Sequence, residues 1–224
     1  VYLGAALGST NSLSPETYFS NGSPRFIPHH FDASVVNPGR WQPSAPSGNT
    51  YVGEPLFWLD QPVIQVSARN SSGAVTRNYT EDGYLKLTSS DVLAGMTAPL
   101  ADRTSLNRSG SPLALSADTN FVEGELVTAG PGVMEYTFSV LDQLVYTRNA
   151  LSEVAPYNPD IEIVFDNLAS PVSDGEVDLA NSLGVTPDGS SVDMRFGRLR
   201  LSDSFGPENE NLIIPLVIEF YDGT

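Results

Sequence analysis

The chain has 224 residues, with 27 acidic and 11 basic side chains, a formal net charge of −16 and no cysteine. That charge repels phosphate backbones and anionic lipids and argues against nucleic-acid or membrane-surface binding. The missing thiols rule out disulfides, zinc–thiolate centres and cysteine nucleophiles, and a hydrophobic share of 40% rules out a disordered tail.

Residues 1–24 are rich in Gly, Ser, Asn and Thr and read as a linker or loosely docked lead-in. Val1 to Thr10 lacks a basic stretch ahead of its short apolar run, so any export signal is expected outside this sequence. Arg25 to Val36, with Phe26, Ile27 and Phe31, reads as a short strand. Residues 37–50 hold three prolines and two glycines and form a second linker-like stretch.

From Tyr51 the pattern becomes regular. Ile64, Val66 and Ala68 alternate with Gln65 and Ser67, the period of a half-buried strand. Asn70-Ser-Ser-Gly reads as a turn, because Asn and Gly tolerate positive φ. Ala74 to Tyr79 is predicted as the return strand, which makes residues 62–80 a hairpin. Tyr84 to Thr88 alternates again. Ser90 to Ala94 opens one short helical turn capped by Ser90 or Asp91, and the polar stretch to Pro112 reads as a long loop.

Phe121 to Val127 is predicted as a strand. The turn Ala129-Gly-Pro-Gly leads into Val133 to Leu141, where Tyr136, Phe138 and Val140 alternate. Ile161 to Phe165 is another strand, and Pro171 to Gly189 is acidic and turn-rich. Phe196 to Leu201 and Leu212 to Phe220 close the chain as two strands. The longest apolar run, Leu212 to Ile218, holds seven residues with Pro215 among them. A membrane-crossing helix needs roughly 20, so direct membrane insertion is not expected. Short strands separated by turn signals, with no helix of ten residues, predict an all-β sandwich.

Three motifs in order carry a family resemblance. They are Phe26-Ile-Pro-His-His-Phe-Asp; Tyr51-Val-Gly-Glu-Pro-Leu followed by Ser67 to Tyr79; and Phe196-Gly-Arg-Leu-Arg-Leu-Ser-Asp-Ser-Phe-Gly with Ile214-Pro-Leu and Tyr221-Asp-Gly. Over about residues 25–224 this set resembles the uncharacterised C-terminal domain of MshQ-like proteins, associated with biogenesis of the mannose-sensitive haemagglutinin (MSHA), a type IV pilus. His29 stands where that motif usually carries an acidic residue. The resemblance implies an exported bacterial cell-surface protein tied to pili or attachment, and it transfers no catalytic residue. Ser67 to Tyr79 also resembles bacterial immunoglobulin-like repeats. The expected architecture is therefore an immunoglobulin-like β-sandwich over residues 25–224, with its core at about 50–168 and extra strands from both ends.

Candidate chemistry is sparse. His29 and His30 are the only histidines, and neighbours on a strand point to opposite faces, which would separate their rings. No Gly-x-Ser-x-Gly elbow is present. Glu123 and Glu125 are two apart, a spacing that places them on one strand face, where the bland reading is a solvated surface. Asp166 and Asn167, followed by Asp174, Glu176 and Asp178 around Gly175, form the best calcium candidate, because hard cations take oxygen ligands. Trp41 and Trp58 are the candidate ligand contacts, since rigid aromatics stack on sugar rings. The proline-rich surroundings of Trp41 favour it as the exposed one.

These readings converge on a non-enzymatic structural or adhesive module. Its expected partners are other domains of a larger parent protein, pilus components or surface glycans. The single lysine, Lys86, and the Gly, Ser, Thr, Asn and Pro richness fit an extracellular location. The alternative is a carbohydrate-binding module or, behind it, a glycoside-active enzyme domain.

Overall fold

A computed structural model describes residues 19–20, 23–24, 27–81, 83–100, 104–106, 111–149, 151, 153–168, 178–209 and 211–223. The lead-in expected over 1–24 lies largely outside them. Within it, β1 (Phe19–Ser20) and β2 (Ser23–Pro24) pair as a small hairpin. Next come β3 (His30–Asn37), β4 (Arg40–Gln42), β5 (Asn49–Tyr51), β6 (Pro55–Asp60) and β7 (Val63–Arg69). A 3₁₀ turn (Arg77–Thr80) and the α-helix α1 (Ser89–Ala94) precede β8 (Met96–Leu100), β9 (Thr104–Leu106), β10 (Pro112–Ala114) and β11 (Ala117–Asn120). The chain continues through β12 (Glu125–Gly130), β13 (Val133–Thr137), β14 (Gln143–Tyr146), β15 (Glu162–Phe165), β16 (Leu183–Val185), β17 (Asp193–Arg195), β18 (Gly197–Leu201) and β19 (Leu216–Phe220).

The fold is all-β and sandwich-like. Two four-stranded antiparallel sheets, ordered β12-β13-β7-β3 and β11-β14-β6-β4, supply most of the core. The predicted alternation places Ile64, Val66 and Ala68 of β7 inward, joined by Met134 and Tyr136 of β13 and Phe31 of β3. The other sheet contributes Leu56 and Trp58 of β6, Leu144 and Tyr146 of β14 and Trp41 of β4. Phe138, just past β13, stands edge-on to Trp58, Tyr136 and Phe165, tying both sheets to β15. Each large apolar side chain buried there contributes about 1.5–3 kcal/mol. β3 and β4, which precede residue 50, form an edge of each sheet, and β17 runs parallel to β5.

Local chemistry explains the tight connection from β12 to β13. Pro131 presets φ at the first turn position, and Gly132 adopts a φ of 74° at the second. Only glycine suits that place, because an added Cβ would press on the Thr76 backbone.

Five expectations need correction. Ala74–Tyr79 is not a return strand: beyond one bridge from Val75 to Arg69, it turns into the 3₁₀ segment. Both edges of β7 are already taken, by β3 and β13, so no ladder position remains. Tyr79 instead plugs the core, 1% exposed, and its hydroxyl accepts from the Leu87 backbone N–H at 3.0 Å. That contact holds residues 84–88 as non-strand chain.

The helix is present, but its cap is Thr88, two or three residues before the expected ones. Thr88 accepts from Asp91 N–H, and the Asp91 carboxylate accepts from Thr88 N–H at 2.9 Å, a capping box. The stretch read as a long loop holds β8, which pairs with β15. Finally, β12 starts at Glu125 rather than Phe121. Gly124 is pressed against the Thr137 carbonyl and the Tyr136 hydroxyl, where no Cβ fits. Among the described residues no helix is long and apolar enough to cross a membrane.

Candidate interaction sites

The two tryptophans come together, but inward. β4 pairs with β6 so that Trp41 lies opposite Trp58. Their rings stack at 3.8 Å between centroids, 18° from parallel. Trp41 is 0% and Trp58 7% exposed. The exposed Trp41 contact expected from its proline-rich setting is therefore corrected: alternation in β4 turns Arg40 and Gln42 outward and the indole into the core.

The Trp58 indole N–H donates to Asp142, 3.2 Å away, and the other Asp142 oxygen accepts from Val122 N–H at 2.8 Å. Asp142 is 1% exposed. Burial raises its pKa, and hydrogen bonds from Val122, Trp58 and Ser139 partly oppose that rise. Burial likewise pushes the Tyr136 hydroxyl up to about 12, while it accepts from Gly124 N–H at 2.8 Å. Both groups serve packing.

The remaining carboxylate candidates that the structure describes lie at the surface. Glu123 and Glu125 are both exposed. Asp166 is exposed, and one of its oxygens accepts from the Ser182 hydroxyl at 2.9 Å. Asn167 is exposed, and its carbonyl closes over Gly95. Asp178 is exposed, and its carbonyl accepts from Phe31 N–H. Asp174 and Glu176 lie outside the described residues. Among the described residues, no group of three His, Asp or Glu side chains is placed to hold a metal ion.

Two surfaces emerge that the candidate residues did not include. The first is a groove of about 360 Å³ bordered by Gln42, Pro43, Ser44, Glu54, Pro55 and Phe57. Phe57 is 37% exposed. Glu54 is fixed there, accepting from the Ser44 hydroxyl at 2.8 Å and from Tyr51 N–H at 3.0 Å. Alternation carried the signal: once Trp58 points inward, Phe57 must face out.

The second is the β18–β19 hairpin. Its register sets Leu199 opposite Ile218 and Leu201 opposite Leu216, with Phe220 on the same face. These five side chains are 45–68% exposed. The opposite face is polar: Arg198 and Arg200 both bind Glu219, at 3.0 and 2.6 Å, and Arg198 lies 3.6 Å from Glu153. The hairpin is anchored at its base, where Arg148 donates to the Gly197 carbonyl and the Arg195 guanidinium covers the Phe220 ring at 4.2 Å. A two-stranded hairpin is marginal by itself in water, and one apolar face invites cover.

Taken together, these features define an all-β, sandwich-like domain with a filled aromatic core and an amphipathic hairpin on its outside. The chain belongs to the DUF6701 family, as its third domain: the family model for that domain matches residues 2–193. No curated protein and no solved structure matches the chain.

Proposed function

We propose that this chain is a non-catalytic structural or adhesive module of an exported, pilus-associated bacterial surface protein. Its β18–β19 hairpin docks onto an apolar sheet face of an adjoining domain in the same polypeptide. The single observation that carries the docking is the exposed apolar face of Leu199, Leu201, Leu216 and Ile218, continued by Phe220, whose ring Arg195 partly covers. The pilus association rests on the resemblance of the ordered motifs to those of MshQ-like proteins.

Two facts favour a tethered neighbour over a free partner. The matched third domain stops at residue 193, before the hairpin begins, and its description is one of a numbered set of domains. Five side chains also fall well short of the roughly 20–30 residues per side of a stable bimolecular interface. A tether raises effective concentration to the millimolar range, where a small patch suffices. Hydrogen exchange tests this. The amides of Leu216–Phe220 should exchange markedly more slowly in a longer stretch of the parent polypeptide than in this chain alone. Equal exchange in both would defeat the docking.

A second reading, a carbohydrate-binding module, has one observation in its favour. The half-exposed Phe57 ring stands beside Gln42 and the fixed Glu54 carboxylate, the pairing of a stacking platform with polar contacts that sugar sites use. A glycan array comparing the native chain with Phe57→Ala decides it. Binding lost in the variant supports this reading, and binding to no glycan removes it.

A further inference from the structure

We propose that His29 and His30 form a two-imidazole chelate for a divalent transition-metal ion, with Cu(II) the preferred occupant. Their Nδ1 atoms lie 3.0 Å apart, and the rings meet edge to face, 87° between planes with centroids 5.3 Å apart. Adjacent strand residues would point to opposite faces. Here the strand starts only at His30, while His29 sits in a bend directly after Pro28. The His29 N–H still donates to the Arg69 carbonyl at 2.7 Å, so the bend is anchored to β7 and both rings turn to the same side.

The pair is set up to release two lone pairs. A 3.0 Å contact between two ring nitrogens needs one proton between them, so one ring donates and the other accepts. His30 Nε2 lies 3.5 Å from Asp32 Oδ1, which favours the proton of His30 on Nε2 and leaves its Nδ1 bare. His29 is then the donor. Moving its proton from Nδ1 to Nε2 presents a second lone pair without any net loss of protons. Asp32 is a positioning residue and not a ligand, because its other oxygen is held by Arg69 Nε at 2.8 Å.

The bite selects the metal. An ion about 2.0–2.1 Å from both nitrogens lies off the line of their contact, so the rings turn toward it on binding; with the 3.0 Å separation kept, the nitrogens subtend about 90–100° at the ion. That is the cis angle of tetragonal Cu(II), narrower than the tetrahedral angle zinc prefers. Imidazole suits copper, and copper heads the affinity order among the divalent first-row ions. His29 is exposed, so solvent completes the coordination sphere. A net charge of −16 raises the local concentration of any cation.

The test is copper titration of the whole chain, free of any histidine tag, followed by calorimetry and electron paramagnetic resonance. The expected result is one Cu(II) per chain, with an axial spectrum showing nitrogen coupling from two imidazoles and weaker binding of Zn(II). His29→Ala and His30→Ala should each weaken binding at least ten-fold and remove one nitrogen from the spectrum. Both variants keep every carboxylate, so binding to the acidic surface would survive them unchanged. Matching thermal melts of the metal-free proteins would show that the fold is intact. Equal affinity in native and variant chains, an oxygen-only spectrum, or no copper binding by the native chain would each overturn the site.

Discussion

Trp58 and Asp142 lie 84 positions apart in sequence and 3.2 Å apart in space, the indole N–H donating to a carboxylate that is almost wholly buried. The same carboxylate accepts from Val122 N–H, so one side chain just ahead of β14 joins β6 to the segment that follows β11. Asp142→Ala should therefore destabilise the fold by about 2–4 kcal/mol, because it strands two inward-facing donors. Urea denaturation of both proteins measures this.

The same residue carries a pH signature. Burial raises the folded-state pKa of Asp142 above its unfolded value. Folding therefore favours its protonated form, and the stability it contributes is fully present in acid and lost as pH rises through the folded value. Asp142→Asn removes that titration. The stability difference between variant and native chain should move in the variant's favour from acidic to neutral pH. A difference independent of pH would contradict the assignment.

Trp41 stacks on Trp58 inside the core, so its removal should cost stability and leave surface recognition alone. Trp41→Ala should lose about 3–5 kcal/mol, the usual range for a large buried aromatic. Its effect on any glycan binding should vanish under conditions where the variant remains folded. Chemical denaturation and the glycan array read the two effects separately.

Thr88 closes the capping box of α1 with Asp91. Thr88→Ala should cost about 0.5–2 kcal/mol, and Thr88→Ser should recover most of it. Melting curves of the three proteins suffice.

Gly95 ends α1, where an added Cβ would land on the Asn167 carbonyl. Its φ of −81° is open to any residue, so the constraint is space and not backbone conformation. Gly95→Ala should cost about 1–3 kcal/mol through displacement of the chain around Asn167. An unchanged melting temperature would show that the loop yields freely.

On the hairpin, Leu199→Ser combined with Ile218→Ser should reduce the binding of an apolar fluorescent dye several-fold. Global stability should stay within about 0.5 kcal/mol, because neither side chain is buried. A large loss of stability would mean that the face already packs on this domain.

Much of the fold was readable residue by residue. Alternation in Val63–Arg69 and around Tyr136, the Pro-Gly turn before Val133, and the strand signals within Phe196–Leu201 and Leu212–Phe220 all depend on interactions within a few positions. Backbone sterics and side-chain period act over that range, so sequence alone determined an all-β chain with those elements. Tertiary structure decided everything that depends on which strand edge is free and which face is covered. Val75–Tyr79 could not be a strand because β3 and β13 already flank β7. Trp41 went inward, against its proline-rich neighbourhood, because β4 pairs with β6 and Trp58 lies opposite. His29 and His30 meet because the strand begins between them. Non-local pairing settles each of these, and no local pattern encodes the partner that arrives from 17 or more residues away.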